Sequence, residues 1–428
     1  MLTAITGINW GDEGKGRMVD LLSQEYDIVC RYQGGNNAGH TVVNPRGKFV
    51  LNLLPSGILR SNVVCVMGNG MVVDPAHLEK EIANLREKGI EISPKNLKIS
   101  DRATICMPYH VAEDGLEEDR LAKSGSQFGS TRRGIAYSYG DKYMKKTLRM
   151  GDLVHLDEAV KKRLATIVEW KNLTMEGIYG TQPISLEETW AWCQHYAEVF
   201  KDYICDVGDY LTEADKNGKK ILFEAQLGAL RDIDFGIYPF TSSSNVIGAY
   251  APIGAGIPGR KLDLSVGIMK AYSSCVGEGP FTAELAMTEE QKNELRLAGH
   301  EFGAATGRPR RVGPFDVVAS RYGVACQGAD ELALTLLDVL DYMEKIPVVA
   351  HYSVNGEIVD RFPMGEALDI AQPVLEYLPG WHCDITAARK WEDLPKEAQD
   401  YVSYIEKAVG CRIAYISVGP DRDACIRR

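Results

Sequence analysis

The residues best suited to chemistry in this 428-residue chain lie near its start, in residues 11–16, which read GDEGKG. Glycines let backbone N–H groups approach an anion closely, and Lys15 can neutralise phosphate charge. The segment is not a Walker A motif, because Gly-x4-Gly-Lys-Ser/Thr is absent. Asp12 is unusual here, since a carboxylate repels phosphate unless it holds a metal ion or accepts a proton. Phosphate binding and a plain tight turn are both open from this segment alone.

A second loop rich in hydrogen-bond donors follows at residues 31–41, which read RYQGGNNAGHT. His40 could act as an acid or an electrophile near neutral pH, although a histidine in such a loop is more often a surface or hydrogen-bonding residue. Each loop follows a short apolar segment typical of a buried strand, LTAITGI or YDIVC. Because the carboxyl ends of parallel strands meet at one sheet edge, the two loops are expected to share a ligand site there.

Three further segments could contact ligands. Residues 306–311, TGRPRR, bring three arginines into one loop, where their planar forks suit carboxylate or phosphate, and the alternative is a solvated basic loop. Asp338 in LDVLD could accept hydrogen bonds from an amidine-like edge such as that of guanine. The turn SVGPDR, residues 417–422, could line a base pocket. Each of the last two could also be a plain turn.

The surrounding elements alternate between strand and helix from end to end. KGRMVDLLSQEY predicts a helix after the first loop, and residues 74–89 predict another, with Asp74 as N-cap, Pro75 in the first turn and Gly89 as the stop. RIAYISVG predicts a strand close to the end of the chain. This order predicts an α/β fold with one large, mostly parallel central sheet, helices on both faces, helical insertions and a P-loop-like nucleotide site. We expect one domain over residues 1–428, with a helix-rich insertion at about 152–218.

Composition excludes several classes of protein. The formal net charge of -11 argues against nucleic acid as a partner. No apolar run approaches the roughly 20 residues needed to cross a bilayer, and no basic segment precedes the short apolar one at the start. The ten cysteines are scattered without zinc-binding spacing. We therefore expect a cytoplasmic protein with reduced thiols, no membrane partner and no structural zinc.

Taken together, these motifs resemble those of a known family. WGDEGKG, YQGGNNAGHT, LPSGIL, GNGMVVDP, DIDFGIYPF, AYSSCVGEGPF, EFGAATGRPRR, LDVLD and SVGPDR occur in the order and spacing typical of adenylosuccinate synthetases, over about residues 2–422. The resemblance implies a homodimeric enzyme that joins IMP to L-aspartate while GTP becomes GDP and phosphate, with Mg²⁺ as cofactor.

The resemblance also implies roles for the two loops. Asp12 matches the base that removes the proton from N1 of the hypoxanthine, and His40 matches the histidine that supports phosphoryl transfer to O6. Aspartate then displaces phosphate from the 6-phosphoryl intermediate. The Mg²⁺ ligands implied are Asp12 and the Gly39 carbonyl.

The remaining assignments follow residue by residue from the same resemblance. The residues implied for GTP are Gly11, Asp12, Glu13, Gly14, Lys15, Gly16, Arg17, Gly39, His40, Thr41, Arg310, Leu336, Asp338, Ser417, Val418 and Gly419. The residues implied for IMP are Asp12, Asn37, Thr131, Lys145, Gln226, Leu227, Ser242 and Arg308. The residues implied for aspartate are Ala305, Thr306 and Arg308.

The chain departs from the family pattern at several of these positions. Arg132 replaces a usual glycine, and Lys145 replaces the arginine that reaches the nucleotide phosphate of the other subunit. Leu227 stands where glutamine is usual, with Gln226 one place earlier, and Leu336 replaces a lysine beside the guanine. Two alternatives therefore remain: a paralogue that performs the same ligation on another purine nucleotide such as GMP or dGMP, or a non-catalytic GTP-binding regulator.

Overall fold

The computed structural model describes residues 1–37, 39–44, 46–302, 307 and 309–428. Its strands are β1 (Leu2–Gly7), β2 (Ile28–Arg31), β3 (His40–Asn44), β4 (Gly47–Leu51), β5 (Val64–Met67), β6 (Val72–Val73), β7 (Leu97–Ser100), β8 (Thr104–Ile105), β9 (Ile204–Cys205), β10 (Ile221–Glu224), β11 (Leu264–Lys270), β12 (Ser273–Cys275), β13 (Arg311–Gly313), β14 (Phe315–Asp316), β15 (Glu331–Thr335), β16 (Lys345–Val354), β17 (Glu357–Val359), β18 (Gln372–Pro379), β19 (Ile413–Ser417) and β20 (Cys425–Arg427).

The helices are α1 (Lys15–Leu22), α2 (Pro75–Glu87), α3 (Pro108–Ala122), α4 (Ile135–Met144), α5 (Glu158–Gly177), α6 (Leu186–Phe200), α7 (Val207–Lys216), α8 (Ala251–Ala255), α9 (Glu289–Ala298), α10 (Val317–Gln327), α11 (Glu366–Asp369) and α12 (Lys396–Val409). Within the described residues, none is long and apolar enough to span a bilayer.

A ten-stranded sheet forms the centre of the fold, in the order β20-β19-β15-β11-β1-β10-β2-β5-β7-β9. The neighbouring strands run parallel except for β19 and β20, which are antiparallel. The first strand lies in the middle, because Thr3 pairs with Leu222 of β10 on one side and Leu264 of β11 on the other. The predicted mostly parallel α/β sheet is confirmed.

Both faces of this sheet are covered. Ile5 and Val29 point to one face, where they pack in a cluster with α1, α2, α5 and α6. Ala4 and Ile28, one residue away along the same strands, point to the other face and pack with α7 and α8. This alternation is what a sheet buried on both sides requires, and it explains the continuous apolar runs in the sequence.

The helices that flank the first strands form as their capping residues indicate. The carboxylate of Asp74 accepts a hydrogen bond from the N–H of His77 at 3.0 Å and caps α2. The helix ends at Glu87, and Gly89 follows with a φ of 75°. The predicted insertion contains α5, α6 and α7, but it also contains β9, which extends the edge of the central sheet.

Candidate active site

The first glycine loop connects β1 to α1 and is held from within by Glu13. Its backbone has positive φ at Gly11 (103°) and Asp12 (60°). Glu13 is buried, and its Oε1 accepts hydrogen bonds from the N–H groups of Asn9 at 3.1 Å and Gly11 at 2.8 Å. Its Oε2 lies 2.5 Å from Nζ of Lys15 at the start of α1. Glu13 therefore shapes the loop and pairs with Lys15, whereas Asp12 is exposed.

The second glycine loop meets the first at Gly16. A Cβ on Gly16 would lie 2.7 Å from the Cβ of His40, closer than two such atoms can approach. Only glycine therefore allows His40, the first residue of β3, to pack against the N-terminus of α1. The two loops that the sequence places at one sheet edge are in contact.

His40 is oriented by a buried carboxylate. Its Nδ1 bonds to Oε1 of Glu224, the last residue of β10. Glu224 also accepts from the N–H and the hydroxyl of Ser56, each at 2.7 Å. Burial acts to raise the pKa of the Glu224 carboxyl, but the bond to His40 and the charges of His40 and Arg31 outweigh it and lower that pKa. This arrangement fixes the imidazole ring and leaves Nε2 as the nitrogen free of Glu224.

Asp12 has an ionic partner from the arginine loop. Its Oδ2 lies 3.0 Å from Nη2 of Arg310, whose Nη1 lies 2.8 Å from Oε2 of Glu301. Glu301 is buried and also contacts Nζ of Lys270 at 2.6 Å and Oη of Tyr272 at 2.5 Å. Burial tends to raise the pKa of Glu301, yet Lys270 and Arg310 lower it below its ordinary value. Glu301 is thus a charged anchor that aims Arg310 at Asp12.

Part of the arginine loop is not described. The predicted aspartate contacts Ala305 and Thr306, and Arg308, predicted for both aspartate and IMP, lie outside the described residues. Arg311, the third arginine, pairs with Glu284 at 2.7 Å, and it donates to the carbonyl of Gly279 at 2.7 Å.

The far wall of the site joins α1 to the end of the chain. Arg17 donates to Oγ of Ser417, and to the carbonyls of Asp421 at 2.6 Å and Ala424 at 3.1 Å. Within the described part of the chain, Oδ1 of Asp338 is buried without a hydrogen-bond partner, and burial raises the pKa of this carboxyl. An unsatisfied buried carboxylate oxygen suits a ligand that donates N–H groups.

The other residues predicted for GTP occupy the same loops. Gly14 precedes α1 with a φ of 96°, Gly39 and Thr41 are exposed beside His40, and Val418 and Gly419 are buried after β19.

The residues predicted for IMP lie on several elements. Oδ1 of Asn37 accepts from the N–H of Gly35 at 3.2 Å, and the hydroxyl of Ser242 lies 3.0 Å from that of Ser244. Thr131 is exposed in the segment before α4, and Lys145 is exposed at the C-terminus of that helix.

Residues that depart from the family pattern share a backbone feature. Arg132, Lys145, Leu227 and Leu336 have φ values of 56°, 62°, 58° and 59°. This left-handed conformation is costly for residues with a side chain, especially for leucine, and such residues cluster at functional sites. Glycine, which the family resemblance implies at position 132, is the residue that this conformation favours.

The predicted magnesium site supplies few protein ligands. Within the ranges that the structure describes, no three His, Cys, Asp or Glu side chains converge as a metal site. Asp12 lies exposed in the first glycine loop, and Gly39 lies exposed in the second. These two loops are in contact. One carboxylate and one carbonyl fit Mg²⁺, which takes oxygen ligands and usually keeps waters and substrate phosphates.

The sequence of this chain is similar to those of known proteins over nearly its whole length. A family model described as adenylosuccinate synthetase matches residues 4–426. The adenylosuccinate synthetase of Caldanaerobacter subterraneus subsp. tengcongensis is 44% identical over 426 residues, which cover 99% of this chain and 98% of that protein. These similarities do not favour a paralogue or a non-catalytic regulator.

Two solved structures are similar to this chain. The fully ligated adenylosuccinate synthetase from Plasmodium falciparum has a TM-score of 0.92 and 34% identity, covering 100% of this chain and 99% of that one. The succinoaminodeoxyadenylate synthetase of cyanophage S-2L, bound to dGMP and dATP, has a TM-score of 0.59 and 19% identity, covering 100% and 95%. The second similarity indicates a shared fold.

Proposed function

The chain belongs to the adenylosuccinate synthetase family of C–N ligases, and we propose that it joins L-aspartate to IMP while GTP becomes GDP and phosphate. The observation that supports this most directly is the contact between the two glycine loops at Gly16 and His40. It brings the loop that bears Asp12 against the imidazole held by Glu224. A site that only binds GTP needs neither a base nor an oriented histidine.

In the first step, the Asp12 carboxylate accepts the N1 proton of IMP. The electron density released makes O6 nucleophilic. O6 then forms a bond to the γ-phosphorus of GTP, and the bond between this phosphorus and the β-phosphate oxygen breaks to release GDP. The imidazole of His40, fixed through Nδ1, stabilises charge on the transferring group. For the Asp12 carboxylate to reach the substrate, part of its ion pair with Arg310 must be broken, and Arg310 then contacts the substrate instead.

In the second step, the amine of aspartate attacks C6, the C6–O6 bond breaks, phosphate leaves and the amine loses a proton. Phosphorylation is needed because the oxygen of an amide is a poor leaving group. Mg²⁺, when bound, neutralises phosphate charge, and Asp12 and the Gly39 carbonyl would hold it. Lys15 would neutralise phosphate as well, once its amine turns from Glu13.

Guanine recognition is assigned to the far wall of the site. The unsatisfied Oδ1 of Asp338 suits the N1–H and amino group of guanine. Ser417, fixed by Arg17, would border the base.

We also propose a homodimer in which Lys145 reaches the nucleotide site of the other subunit. Lys145 is exposed at the end of α4, and two large apolar neighbours are exposed beside it, Tyr143 at 68% and Met144 at 48%. Exposed apolar side chains next to a cation are typical of a contact surface.

A nucleotide panel tests the proposed reaction. The purified protein with GTP, Mg²⁺ and aspartate is offered IMP, GMP, dGMP or XMP, and the succinyl product and phosphate are measured. We expect turnover with IMP well above the others. Preference for another nucleotide, or GTP binding without turnover, would refute the proposal.

Mixing two inactive variants tests the shared site. A hybrid dimer has one D12N subunit and one K145A subunit, and one of its two sites combines a native Asp12 with a native Lys145. With equal amounts and random reassembly, roughly half of the dimers are hybrids, so roughly a quarter of all sites should regain activity. D12N and K145A reassembled separately are the controls, because neither homodimer contains a native site. No recovery from a D12N and K145A mixture that forms hybrid dimers would exclude a contribution of Lys145 across the interface.

A further inference from the structure

Gln226 and Leu227 lie one residue beyond the end of β10, and Leu227 has a left-handed backbone. The φ of Leu227 is 58°, which reverses the course of the chain after Gln226. Gln226 is fully buried. In the fully described stretch 221–232, Leu227 is the one residue that is not buried. The two neighbours therefore face different surroundings.

The amide nitrogen of Gln226 is used inside the protein. Its Nε2 donates to the carbonyl of Gly35 at 2.5 Å and approaches that of Asn52 at 3.4 Å. The buried guanidinium of Arg31 donates to the same two carbonyls. A Cβ on Gly34 would lie 2.1 Å from Oε1 of Gln226, so the amide is packed directly under the second glycine loop. Gln226 and Arg31 together pin the base of the loop that leads to His40.

Leu227 instead lies on the first glycine loop. A Cβ on Gly11 would be 3.4 Å from the Cα of Leu227 and 3.6 Å from its Cδ2. A side chain at Gly11, the residue before the proposed base, would therefore be in van der Waals contact with this leucine. The partly exposed isobutyl group borders the surface from which Asp12 projects. Leucine is a poor residue for a positive φ, so the backbone is held there by its surroundings.

Resting on the proposed function, we propose that Leu227 is a specificity-determining residue and Gln226 a positioning residue. Leu227 forms an apolar wall for the purine base beside Asp12, and it contributes packing without a hydrogen bond. Gln226 does not touch the nucleotide; it holds the loop at Gly34 and Gly35. This turn therefore offers the base no side-chain amide.

Steady-state kinetics of L227A and Q226L separate the two roles. Loss of an apolar contact should raise the KM for IMP roughly 5- to 15-fold in L227A, with kcat and the KM for GTP nearly unchanged. Loss of the loop anchor in Q226L should lower kcat about 10-fold or more with a smaller effect on the KM for IMP. L173A is the matched control, because Leu173 on α5 is 69% exposed.

Hydrogen exchange gives a readout for Gln226 that needs no turnover. We expect faster exchange in peptides covering residues 31–37 of Q226L, and also of Q226A, which covers the case that the leucine variant does not fold. L227A should leave this exchange unchanged. The inference would be overturned if the Gln226 variants showed a raised KM for IMP while residues 31–37 exchanged hydrogen at the rate of the unmodified protein. An unchanged KM for IMP in L227A would also overturn it. Absence of IMP turnover by the unmodified protein would instead refute the proposed function, and the exchange results would still test the loop anchor.

Discussion

The carboxylate of Asp12 lies 3.0 Å from a guanidinium nitrogen of Arg310, so the group proposed to accept the proton is already held in place. Its backbone, at a φ of 60°, projects the side chain from the glycine-rich loop of residues 11–16. Position and charge together make Asp12 the residue on which the proposed chemistry depends.

The variant D12N tests this role. Asparagine keeps the size and one oxygen but cannot accept the proton, so kcat should fall by roughly 10²- to 10⁴-fold while IMP and GTP affinities stay within several-fold. Product formation and calorimetric binding check the two parts. D400N is the control, because Asp400 is exposed on α12. A nearly normal rate in D12N would remove Asp12 as the base.

Glu224 is expected to act through His40. In E224Q the charge beside Nδ1 is lost, so we expect kcat to fall roughly 10- to 100-fold and the pH profile of kcat to be displaced, with little change in the KM for GTP. The exposed Glu213 on α7 offers E213Q as a control. An unchanged pH profile in E224Q would show that the carboxylate does not orient the imidazole.

The sequence predicts His40 but not its partner. Loop composition singles out the histidine, whereas Glu224 stands 184 residues later at the end of an apolar strand, where a carboxylate has no local signal. Its position in KILFEAQLG, a charge in an otherwise apolar run, is the only sequence feature that could have indicated it. A contact between distant segments depends on strand order, which local periodicity does not contain.

At the scale of elements, α4 is tied both to its neighbouring helices and to the second glycine loop. Lys171 of α5 is buried and bridges Glu113 of α3 at 2.6 Å and Asp141 of α4 at 2.8 Å. Tyr139 also lies on α4, and its Oη accepts a hydrogen bond from the N–H of Gly34 at 2.9 Å. The buried charges therefore hold the helix that ends in the proposed subunit-bridging lysine.

The variant K171M tests this network. It leaves two buried carboxylates without their cation, which costs on the order of 3–5 kcal/mol. We expect a clearly lower urea midpoint, and a smaller difference from the unmodified protein at lower pH, because burial raises the pKa of Glu113 and a protonated carboxyl needs no cation. The same change at exposed Lys162 on the same helix should shift the midpoint little. Equal midpoints for both variants would contradict a structural role for the network.

Prediction from sequence succeeds for elements with local signals. The cap at Asp74 and the glycine loop before Lys15 mark helices that the structure contains. The antiparallel hairpin of β3 and β4 and the short β9 were not predicted. The hairpin pairs two neighbouring segments that carry little apolar alternation, whereas β9 is only two residues long and gains its partner from the distant β7.

At the scale of the whole molecule, stability should depend on Asp316. This buried residue caps α10 through the N–H of Ala319 and accepts from Oη of Tyr352 at 2.5 Å. Burial raises the pKa of Asp316 from 3.8 to about 6, so the protonated form is favoured by folding. Its stabilising contribution is complete below pH 3.8 and is lost as the pH rises through 6.

The neutral variant D316N should lack this dependence. Between about pH 4 and pH 7, the stability of the unmodified protein relative to D316N should fall by roughly 2 kcal/mol, which is most of the free-energy equivalent of the pKa difference. Denaturation midpoints across this range measure the trend. D157N, at the exposed N-cap of α5, is the control. A constant difference at every pH would contradict the assignment.

The position of β1 between β10 and β11 has a consequence for how the chain acquires its structure. Strand β1 cannot be paired with its two neighbours until residues 221–270 have been made. Arg17, just after it, finds its partners only at Ser417 and beyond. Pairing between such distant segments makes folding slow and leaves apolar strands unprotected meanwhile. The wall of the proposed site that Arg17 forms can therefore be completed only after residues 417–424 have been made.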